Sequence, residues 1–439
     1  MVSYQGARIQ SRRYGKGFLK AQRQVRDQEL FNCEELHDLR VLLLRSHLVA
    51  ASSTPFWSQR FKDYGIVAEA KDPFYELSKL PILTKDVVKA QANNIINPLY
   101  RRNLLWRHTS GSTGSGLVFP ETPSTEHYTW AFWWRYRNWH GLTRQSWCGY
   151  FGGRSLVPLN IHRPPYWRIN RPARQLMFSG YHLSPDTALE YLKALRIYSI
   201  EWLHGYPSIL ALLAGYIIDK DISVSLPHLK CITTGAENLS KAQRDVIGKA
   251  FHVPVFQHYG QAEASANISE CEYSQLHVDE DFAAIEMLES THDLYSARLI
   301  GTNWLNPAFP LLRYDTGDLV IPGTGECPCG RPGRLVASID GRKEDYLSIT
   351  GGTRIGRLDH IFKDMTNIRE AQFVQHEADS VTLLVVRGAC YSNYDQTRLL
   401  QEVRQRIGSV IRLEIKYVDT LPRGPNGKLR LVVSTLPLS

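Results

Sequence analysis

The sequence lacks an apolar run long enough to cross a membrane. Its longest such run, 209–218, is well short of the roughly 18 residues that a membrane span needs. Arg12 and Arg13 are not followed by an apolar segment, so no secretory signal is expected. The sequence shows neither internal repeats nor low-complexity segments. These absences favour a globular protein of the cytoplasm without a membrane span.

The seven cysteines do not have the even number or the spacing of a disulfide framework. An unpatterned set of this kind is typical of a reducing compartment, which again indicates the cytoplasm. Four of the cysteines have no patterned partner and are expected in the core. They are Cys33, Cys148, Cys231 and Cys390.

Acidic residues are outnumbered, with 43 of them against 52 basic residues and a net charge of +9. The densest basic stretch lies near the N-terminus. Such a stretch is typical of a solvated face or of a contact with an anionic ligand such as a nucleotide, and nucleic-acid binding is the alternative. Its members are Arg8, Arg12, Arg13, Lys16 and Lys20.

Hydroxyl side chains and glycines are concentrated in one six-residue run. Glycines let backbone N–H groups approach an anion closely, and hydroxyls donate further hydrogen bonds. The run therefore predicts a phosphate-binding loop, with a plain Ser/Gly surface loop as the alternative. No lysine follows Gly116, so the motif is not a P-loop and its positive charge must come from elsewhere. The run is Thr109, Ser110, Gly111, Ser112, Thr113 and Gly114.

Helices and strands alternate in the middle of the chain. Helices are predicted from a Ser184–Pro185 start, over 208–219, and from a Ser240 capping box to Phe251. Strands are predicted at 197–203, 229–233 and 253–257. This alternation predicts a mostly parallel sheet with covering helices, in which ligands bind beyond the carboxyl ends of the strands.

The composition changes after Gly325, where Pro, Gly and Cys crowd the stretch 321–333. A smaller unit follows, with a strand predicted at 380–386 and a helix at 395–407. A chain of 439 residues with 43% hydrophobic content is long enough for two or three domains. We therefore predict an α/β protein with domains at 1–340 and 341–439.

Five further segments follow the hydroxyl-rich run in a fixed order. They are T-G-A-E at 234–237, H-Y-G-x-x-E at 258–263, R-Y-D-T-G-D at 313–318, G-R-x-x-D at 341–345 and L-P-R-x-x-x-G-K at 421–428. Each is weak alone, but their order resembles the adenylate-forming superfamily of acyl-CoA synthetases, adenylation domains and luciferases. The resemblance spans about 75–432. It is closest to the phenylacetate–CoA ligase branch, which includes capsule-biosynthesis proteins.

The resemblance implies a large N-terminal domain with mostly parallel sheets, a small mobile α+β C-terminal domain, and ATP with Mg²⁺ as ligands. It implies that Lys428 bridges the acyl carboxylate and the α-phosphate, and that the hydroxyl-rich run holds the β- and γ-phosphates. Glu263 corresponds to the acid that binds Mg²⁺, a hard cation suited to carboxylate oxygen. The other implied nucleotide contacts are Gly235, Ala236 and Glu237 at the adenine, Tyr259 stacked on it between His258 and Gly260, and Asp318 and Arg342 at the ribose.

The family chemistry needs no Ser/His/Asp triad, because a carboxylate is already ionised at pH 7 when it attacks phosphorus. Positioned cations are the main catalytic device in such transfers. The resemblance also implies a hinge between the two half-reactions. Glu344 stands where relatives have the hinge aspartate, and Asp345 follows it.

An aromatic segment at 128–140 is expected to frame the acyl site. The helical spacing of Trp130, Trp133 and Trp134 indicates a core face, with base stacking on RNA as the alternative. The turn at His204, Gly205 and Tyr206 is expected to line the same pocket. The chain has only 4 methionines, which disfavours a loose tunnel for long acyl chains, so an aryl or small polar acid is expected.

The remaining cysteines lie near a histidine in the pattern C-x₅-H…C-x-C. Cys271, His277, Cys327 and Cys329 together offer the ligands of a closed tetrahedral zinc site. Four protein ligands leave no open position, so the predicted zinc is structural. Unrelated thiols and a surface histidine are the alternative.

The expected reaction converts ATP and a carboxylic acid into an acyl-adenylate and pyrophosphate, followed by transfer to a thiol, by resemblance that of CoA. A carrier-protein thiol is open as acceptor, as is an amine or hydroxyl in polysaccharide or natural-product biosynthesis. A non-catalytic nucleotide- or RNA-binding relative is the further alternative, although no nucleic-acid partner is expected. The sequence leaves the acid, the acceptor and the oligomeric state open, a dimer included.

Overall fold

The computed structural model describes most of the chain, which its internal contacts divide into two units. Unit 1 comprises 1–6, 145–257 and 340–439, and unit 2 comprises 7–144 and 258–339. The described residues are 2–109, 117–153, 156–158, 160–289, 296–342, 347–348, 354–355, 358–362, 365–408, 411–424 and 427–436.

The helices are α1 (Val2–Arg13), α2 (Lys16–Gln28), α3 (Cys33–Ser52), α4 (Pro55–Asp63), α5 (Pro73–Ser78), α6 (Lys85–Ile95), α7 (Pro123–Trp139), α8 (Ala188–Ile197), α9 (Pro207–Asp219), α10 (Lys241–Phe251) and α11 (Asn393–Ile407). Short 3₁₀ helices cover Arg171–Ala173, Gly180–His182 and Leu358–Phe362.

The strands of the first half are β1 (Leu105–His108), β2 (Val118–Glu121), β3 (Cys148–Phe151), β4 (Trp167–Asn170), β5 (Gln175–Phe178), β6 (Trp202–Gly205), β7 (Cys231–Gly235), β8 (Val255–Gly260), β9 (Asn267–Glu270) and β10 (Leu276–Val278). Those of the second half are β11 (Ala284–Glu289), β12 (Ala297–Thr302), β13 (Tyr314–Pro322), β14 (Leu335–Arg342), β15 (Leu347–Ser348), β16 (Arg354–Ile355), β17 (Ile368–Glu377), β18 (Ser380–Arg387), β19 (Arg412–Tyr417) and β20 (Val432–Ser434).

Unit 1 contains the predicted parallel sheet, in the order β7-β6-β3-β5-β4. Strands β6 and β7, β3 and β6, and β3 and β5 pair in parallel, and β4 is an antiparallel edge strand. Helix α9 is buried almost all round, as an apolar helix in the centre of a core must be. The sheet and its helices confirm the predicted α/β class.

A smaller sheet in unit 1 has the order β19-β18-β17-β20. Leu399 and Val403 of α11 pack against Phe373 and Leu383 of this sheet, all completely buried. Since helix and strands share one apolar cluster, this part of the chain has the predicted α+β character. The boundary predicted between 340 and 341 stays a prediction.

Unit 2 has a sheet in the order β11-β12-β13-β14-β10-β9-β8, in which β11–β12, β12–β13, β14–β10, β10–β9 and β9–β8 pair antiparallel. Short connections such as the turn between β9 and β10 permit this pairing, because antiparallel neighbours need no crossover helix. Phe18 and Val25 of α2 pack against Phe132 of α7 in the core of this unit. A second core in the same unit includes Trp57 and Phe309.

Local signals around the helices of unit 1 had mixed outcomes. The capping box is confirmed: Gln243 N donates to Ser240 Oγ over 3.2 Å, and Ser240 N donates to Gln243 Oε1 over 3.0 Å. The predicted helix start at Ser184 is wrong, because α8 begins at Ala188. The Ser184 and Thr187 hydroxyls bond to each other's backbone N–H groups in a separate turn, which delays the helix.

The predicted burial of the unpatterned cysteines holds for two of the four. Cys148 and Cys231 are buried in strands, whereas Cys33 and Cys390 are exposed. Cys33 is the first residue of α3, beside a solvent-facing capping box, and Cys390 lies between β18 and α11. Burial therefore followed position in an element rather than residue type. Among the described helices, none combines the length and apolar character of a membrane span.

The basic N-terminal stretch makes ion pairs inside unit 2. Arg12 Nη2 lies 2.8 Å from Glu126 Oε1 on α7, and Arg13 Nη2 lies 3.5 Å from the same atom. Arg107 Nη2 is 2.9 Å from it. Burial opposes ionisation of Glu126, but hydrogen bonds from Arg12 and Arg107 hold its pKa below the ordinary value. Arg12 and Arg13 thus bind α1 to α7, and Arg107 binds β1 to the same carboxylate.

Candidate active site

Two of the residues predicted to hold the nucleoside, Tyr259 and Asp318, meet in unit 2. Tyr259, near the end of β8, donates its hydroxyl to Asp318 Oδ2 of β13 over 2.6 Å. Burial, and then the Asp318 charge, raise the pKa of Tyr259 well above its usual value, so the phenol keeps its proton and remains a donor. Residues 59 positions apart in the sequence thus form one polar contact, as a shared nucleoside site requires.

Sequence reasoning missed a third member of this group, Gln261. Its Nε2 donates to Asp318 Oδ2 over 2.9 Å, and its Oε1 accepts from Ser265 Oγ over 2.6 Å. The sequence signal that could have identified Gln261 was its polar side chain at the first unspecified position of the H-Y-G-x-x-E segment. Thr316 fixes the turn before the acid, because its Oγ1 accepts from Asp318 N over 3.1 Å.

Glu263 is buried beside this group, with 7% of its surface exposed. The backbone at this point is held by Asn303, whose Nδ2 donates to Glu263 O over 3.0 Å. Ala264 follows with φ of +54°, a left-handed conformation that reverses the chain after the acid. The predicted Mg²⁺ contact of Glu263 stays a prediction.

The phosphate-loop prediction falls largely outside the described residues, which include Thr109 but not 110–116. Thr109 fixes the ends of the loop together at the β1–β2 hairpin. Its backbone N donates to Leu117 O over 2.9 Å, and its Oγ1 accepts from Leu117 N over 2.8 Å. The buried threonine hydroxyl therefore closes the base of the predicted loop.

Unit 1 brings Lys428 together with two of the other predicted residues. The Lys428 ammonium lies 5.9 Å from the ring centroid of Tyr206. Leu429 N, next in the chain, donates to Glu237 Oε1 over 3.0 Å. Burial raises the pKa of Tyr206 to about 12, so its hydroxyl is neutral near pH 7. The lysine thus stands beside the loop that follows β7.

The predicted turn at His204, Gly205 and Tyr206 lies at the carboxyl end of β6, as expected. His204 Nδ1 is 2.8 Å from Thr233 Oγ1 on β7, in hydrogen-bond contact. A side chain at Gly205 would collide with the backbone of Phe151 on β3. The site residues therefore stand where parallel strands end, although their role in an acyl pocket stays a prediction.

Comparisons with known proteins agree with this arrangement. Residues 348–435 match the CapK C-terminal domain family. The chain is 27% identical over 443 residues to Protein CapK of Staphylococcus aureus, covering 99% of this chain and 96% of that protein. It is 24% identical over 261 residues to the phenylacetate-coenzyme A ligase of Thermus thermophilus, covering 52% and 58% respectively. These similarities support a place among the phenylacetate–CoA ligase-like proteins of the adenylate-forming superfamily.

Solved structures extend the agreement to the fold. The 2-hydroxyisobutyryl-CoA ligase in complex with 2-HIB-AMP aligns with a TM-score of 0.69 at 18% identity, covering 93% of this chain and 91% of that one. The anthranilate CoA ligase AuaEII in complex with anthranoyl-AMP aligns with a TM-score of 0.52 at 11% identity, covering 90% of each chain. The fold of this superfamily member is therefore that of the AMP-forming acid ligases.

Two further predicted features of the superfamily pattern are not tested by the described residues. Arg342 ends β14, but its side chain is outside the described part of the structure. The hinge residues Glu344 and Asp345 also lie outside it. Their roles stay predictions.

The aromatic segment forms α7, and its predicted core face is confirmed. Trp134 is 8% exposed and donates its Nε1 to Tyr14 Oη over 3.0 Å. The Arg13 guanidinium lies 3.7 Å from the ring centroid of Trp130. The Trp133 ring lies 4.7 Å from that of Trp130 and 5.8 Å from that of His258, and burial lowers the pKa of His258 to about 3. Whether Trp130 and Trp134 line an acyl pocket stays a prediction.

Unit 2 brings the predicted zinc ligands together. The ligand atoms of Cys271, His277, Cys327 and Cys329 all lie within 4.8 Å of one another. Cys271 Sγ is 3.6 Å from Cys327 Sγ, and Cys329 Sγ is 3.3 Å from His277 Nε2. Cys271 and His277 flank the β9–β10 turn, and Cys327 and Cys329 lie in the loop between β13 and β14. Thiolates bound to one zinc at about 2.3 Å stand roughly this far apart, so the donor set fits the metal.

Proposed function

We propose that this protein activates a carboxylic acid with ATP, forming an acyl-adenylate and pyrophosphate. The contact of Tyr259 with Asp318 carries the proposal, because it joins the residues expected at the adenine and at the ribose. In this assignment the Asp318 carboxylate accepts hydrogen bonds from the ribose hydroxyls. Glu263, buried next to them, would hold Mg²⁺ through its carboxylate.

In the proposed chemical step, a carboxylate oxygen of the substrate attacks the α-phosphorus. A phosphorus–oxygen bond forms, the α–β phosphoanhydride bond breaks, and pyrophosphate leaves with its electron pair. Lys428 donates to the acyl carboxylate and the α-phosphate oxygens, which gather charge in the transition state. The lysine also supplies the cation that the loop at 109–116 lacks.

The second half-reaction transfers the acyl group to an acceptor, with CoA as the first candidate. A solved 2-hydroxyisobutyryl-CoA ligase of the same fold binds 2-HIB-AMP and CoA, which supports a CoA thioester as product. The small domain at 341–439 would rotate about Glu344 and Asp345 between the two steps. Carrier-protein thiols fit the same chemistry.

Transfer to an amine or hydroxyl acceptor is the second candidate. The similarity to Protein CapK over 99% of this chain, and the match of residues 348–435 to the CapK C-terminal domain, favour it. The similarity to phenylacetate-coenzyme A ligase covers only 52% of this chain. Mass spectrometry of the products formed from ATP, an acid and each acceptor class would distinguish the two candidates.

Pyrophosphate exchange tests the first half-reaction directly. Wild-type protein should exchange radiolabelled pyrophosphate into ATP with at least one aryl or small polar acid. Lys428→Ala should slow exchange by about 100-fold or more, as removal of one transition-state donor does in other enzymes. Nucleotide binding by calorimetry should persist, because the contacts at Tyr259 and Asp318 remain.

Lys416→Ala is the matched control, because Lys416 lies on β19 of the same unit with 54% of its side chain exposed. It should exchange at the wild-type rate. Wild-type exchange by Lys428→Ala, with a genuine substrate, would contradict the assigned role. Salt-dependent RNA binding without measurable ATP affinity would favour the non-catalytic alternative instead.

A structural zinc ion at the cysteine cluster completes the proposal. Cys271 and His277 come from the β9–β10 hairpin, and Cys327 and Cys329 come from the loop between β13 and β14. Four protein ligands leave no position for substrate, so the metal would stabilise unit 2 rather than take part in the reaction.

A further inference from the structure

The backbone on both sides of Lys428 is held by side chains of unit 1. Before it, Gly427 O accepts from Arg423 Nη1 over 3.4 Å. After it, Leu429 N donates to Glu237 Oε1 over 3.0 Å. Its own carbonyl accepts from Gly424 N over 3.0 Å, which closes the loop on itself. The lysine therefore projects from a backbone that is bonded at every peptide around it.

The two side chains that hold this backbone meet at the start of α9. Ser208 N donates to Glu237 Oε2 over 3.2 Å, and Arg423 Nη1 donates to Ser208 Oγ over 2.8 Å. Arg423 also forms an ion pair with Glu370 of β17, and the two side chains are 11% and 4% exposed. One carboxylate oxygen of Glu237 thus accepts from Leu429, next to Lys428, and the other accepts from Ser208 at the start of α9.

The loop also approaches a neighbouring turn too closely for a side chain. Gly427 has φ of +72°, and a Cβ atom there would lie 2.5 Å from Gly153 Cα. Only glycine tolerates this conformation and this distance. Gly427 is therefore held by a backbone contact as well as by hydrogen bonds.

We infer that Glu237 and Arg423 form a latch that positions Lys428 for adenylation. The inference rests on the proposed function, since it assigns Lys428 to the first half-reaction. A displacement of about 1 Å at a catalytic group can cost about 100-fold in rate. A long, flexible lysine benefits when its backbone is fixed. Glu237 is then a positioning residue, acting through Leu429, in addition to its place in the segment expected at the adenine.

The latch also predicts which half-reaction depends on it. Rotation of the small domain for acceptor transfer would break the bonds of Glu237 to Leu429 and of Arg423 to Ser208. The acceptor step therefore should not need them. Loss of the latch should slow adenylation while transfer from a preformed acyl-adenylate stays close to wild type.

Hydrogen exchange on the full chain tests the latch without any assay of activity. In Glu237→Ala and Arg423→Ala, the amide of Leu429 should exchange faster than in wild type. Glu414→Ala is the control, since Glu414 lies on β19 with 57% of its side chain exposed. In this variant the Leu429 amide should be protected from exchange as in wild type. Unchanged protection of Leu429 in both latch variants would overturn the inference.

Kinetic measurements distinguish residues that position Lys428 from residues that contact ATP directly. Arg423→Ala, at a residue not assigned to ATP, should lower the exchange rate at saturating ATP by about 10- to 100-fold with the ATP dissociation constant unchanged, and Glu237→Ala should lower the rate at least as much. Glu237→Gln, which keeps one acceptor oxygen, should recover part of the rate. Glu237→Ala should add little to Lys428→Ala, because a latch without its lysine has nothing to position.

Weaker ATP binding by Arg423→Ala, or effects of Glu237→Ala that add fully to those of Lys428→Ala, would overturn the positioning role. A wild-type protein that exchanges pyrophosphate with none of the acids would overturn the proposed function instead. The exchange of the Leu429 amide would then decide alone whether Glu237 and Arg423 hold the loop.

Discussion

Replacing Cys327 with serine tests whether the cysteine cluster holds zinc. Cys271 and Cys327 are 56 positions apart in the sequence, and their sulfur atoms lie 3.6 Å apart. A shared metal would close the chain between them as a cross-link does. The substitution removes one of the four ligands and so weakens the site, and loss of the metal would open this loop, because Cys329 also closes it only while zinc is bound.

The size of the effect follows from the entropy of the closed loop. For a loop of this length, the chain-entropy relation for cross-links gives about 4 kcal/mol at 25 °C. A loss of 1 kcal/mol lowers the melting temperature by about 2–4 °C in domains of about 150–250 residues. Cys327→Ser should therefore lower the melting temperature by about 8–16 °C. Activity should fall only indirectly, because the cluster is not among the groups assigned to substrate.

Elemental analysis and thermal unfolding of protein never exposed to chelator provide the measurement. We expect about one zinc per chain in wild type and a clear deficit in Cys327→Ser. Cys390→Ser is the control, because Cys390 is an exposed thiol outside the cluster, and it should keep both zinc and stability. Wild-type protein that contains no zinc would refute the reasoning. A Cys327→Ser variant with the same melting temperature as wild type would refute it as well.

Two predictions concern the stability of unit 2. Burial lowers the pKa of His47 to about 3, below the value near 6.5 expected in the unfolded chain. The neutral buried imidazole therefore contributes its full share of the unfolding free energy above about pH 6.5, and this share is lost as the pH falls towards 3. Between pH 7 and pH 4, wild type should lose about 3 kcal/mol more unfolding free energy than His47→Leu in urea titrations, and equal losses would contradict this. Arg135 lies 2.7 Å from Asp279 and 2.6 Å from Asp281, all nearly buried. Arg135→Met should cost about 3–5 kcal/mol in the same titrations, because two carboxylates stay buried without their partner, and a cost below 1 kcal/mol would be inconsistent with that pairing.

Local sequence signals predicted elements well where side chains act on their own segment. The Ser240–Gln243 pair capped α10 as expected, because both partners lie within one turn. The same logic failed at Ser184, whose hydroxyl found Thr187 in a turn before the helix. Competing local hydrogen bonds of similar energy decide such boundaries, and the sequence does not rank them.

Ordered motifs identified the family because each preserves a chemical role on its own segment. They did not reveal Gln261, whose contact with Asp318 depends on how β8 and β13 are placed in one sheet. Nor did they reveal Arg423 as a partner of Ser208, since that bond joins residues 215 positions apart. Contacts at such separations depend on the packing of whole elements.

The sequence by itself determined the α/β class, the superfamily and the identity of the chemical groups, because side-chain chemistry and short-range periodicity are properties of the chain. Only the tertiary structure decided which of those groups meet. It placed Tyr259 against Asp318 and gathered Cys271 with Cys327, although the sequence separates each pair by more than fifty residues. It also bonded Glu237 to the backbone beside Lys428. Long-range contacts form when many elements bury their apolar surfaces against one another at once. The sequence of a single segment therefore does not predict them.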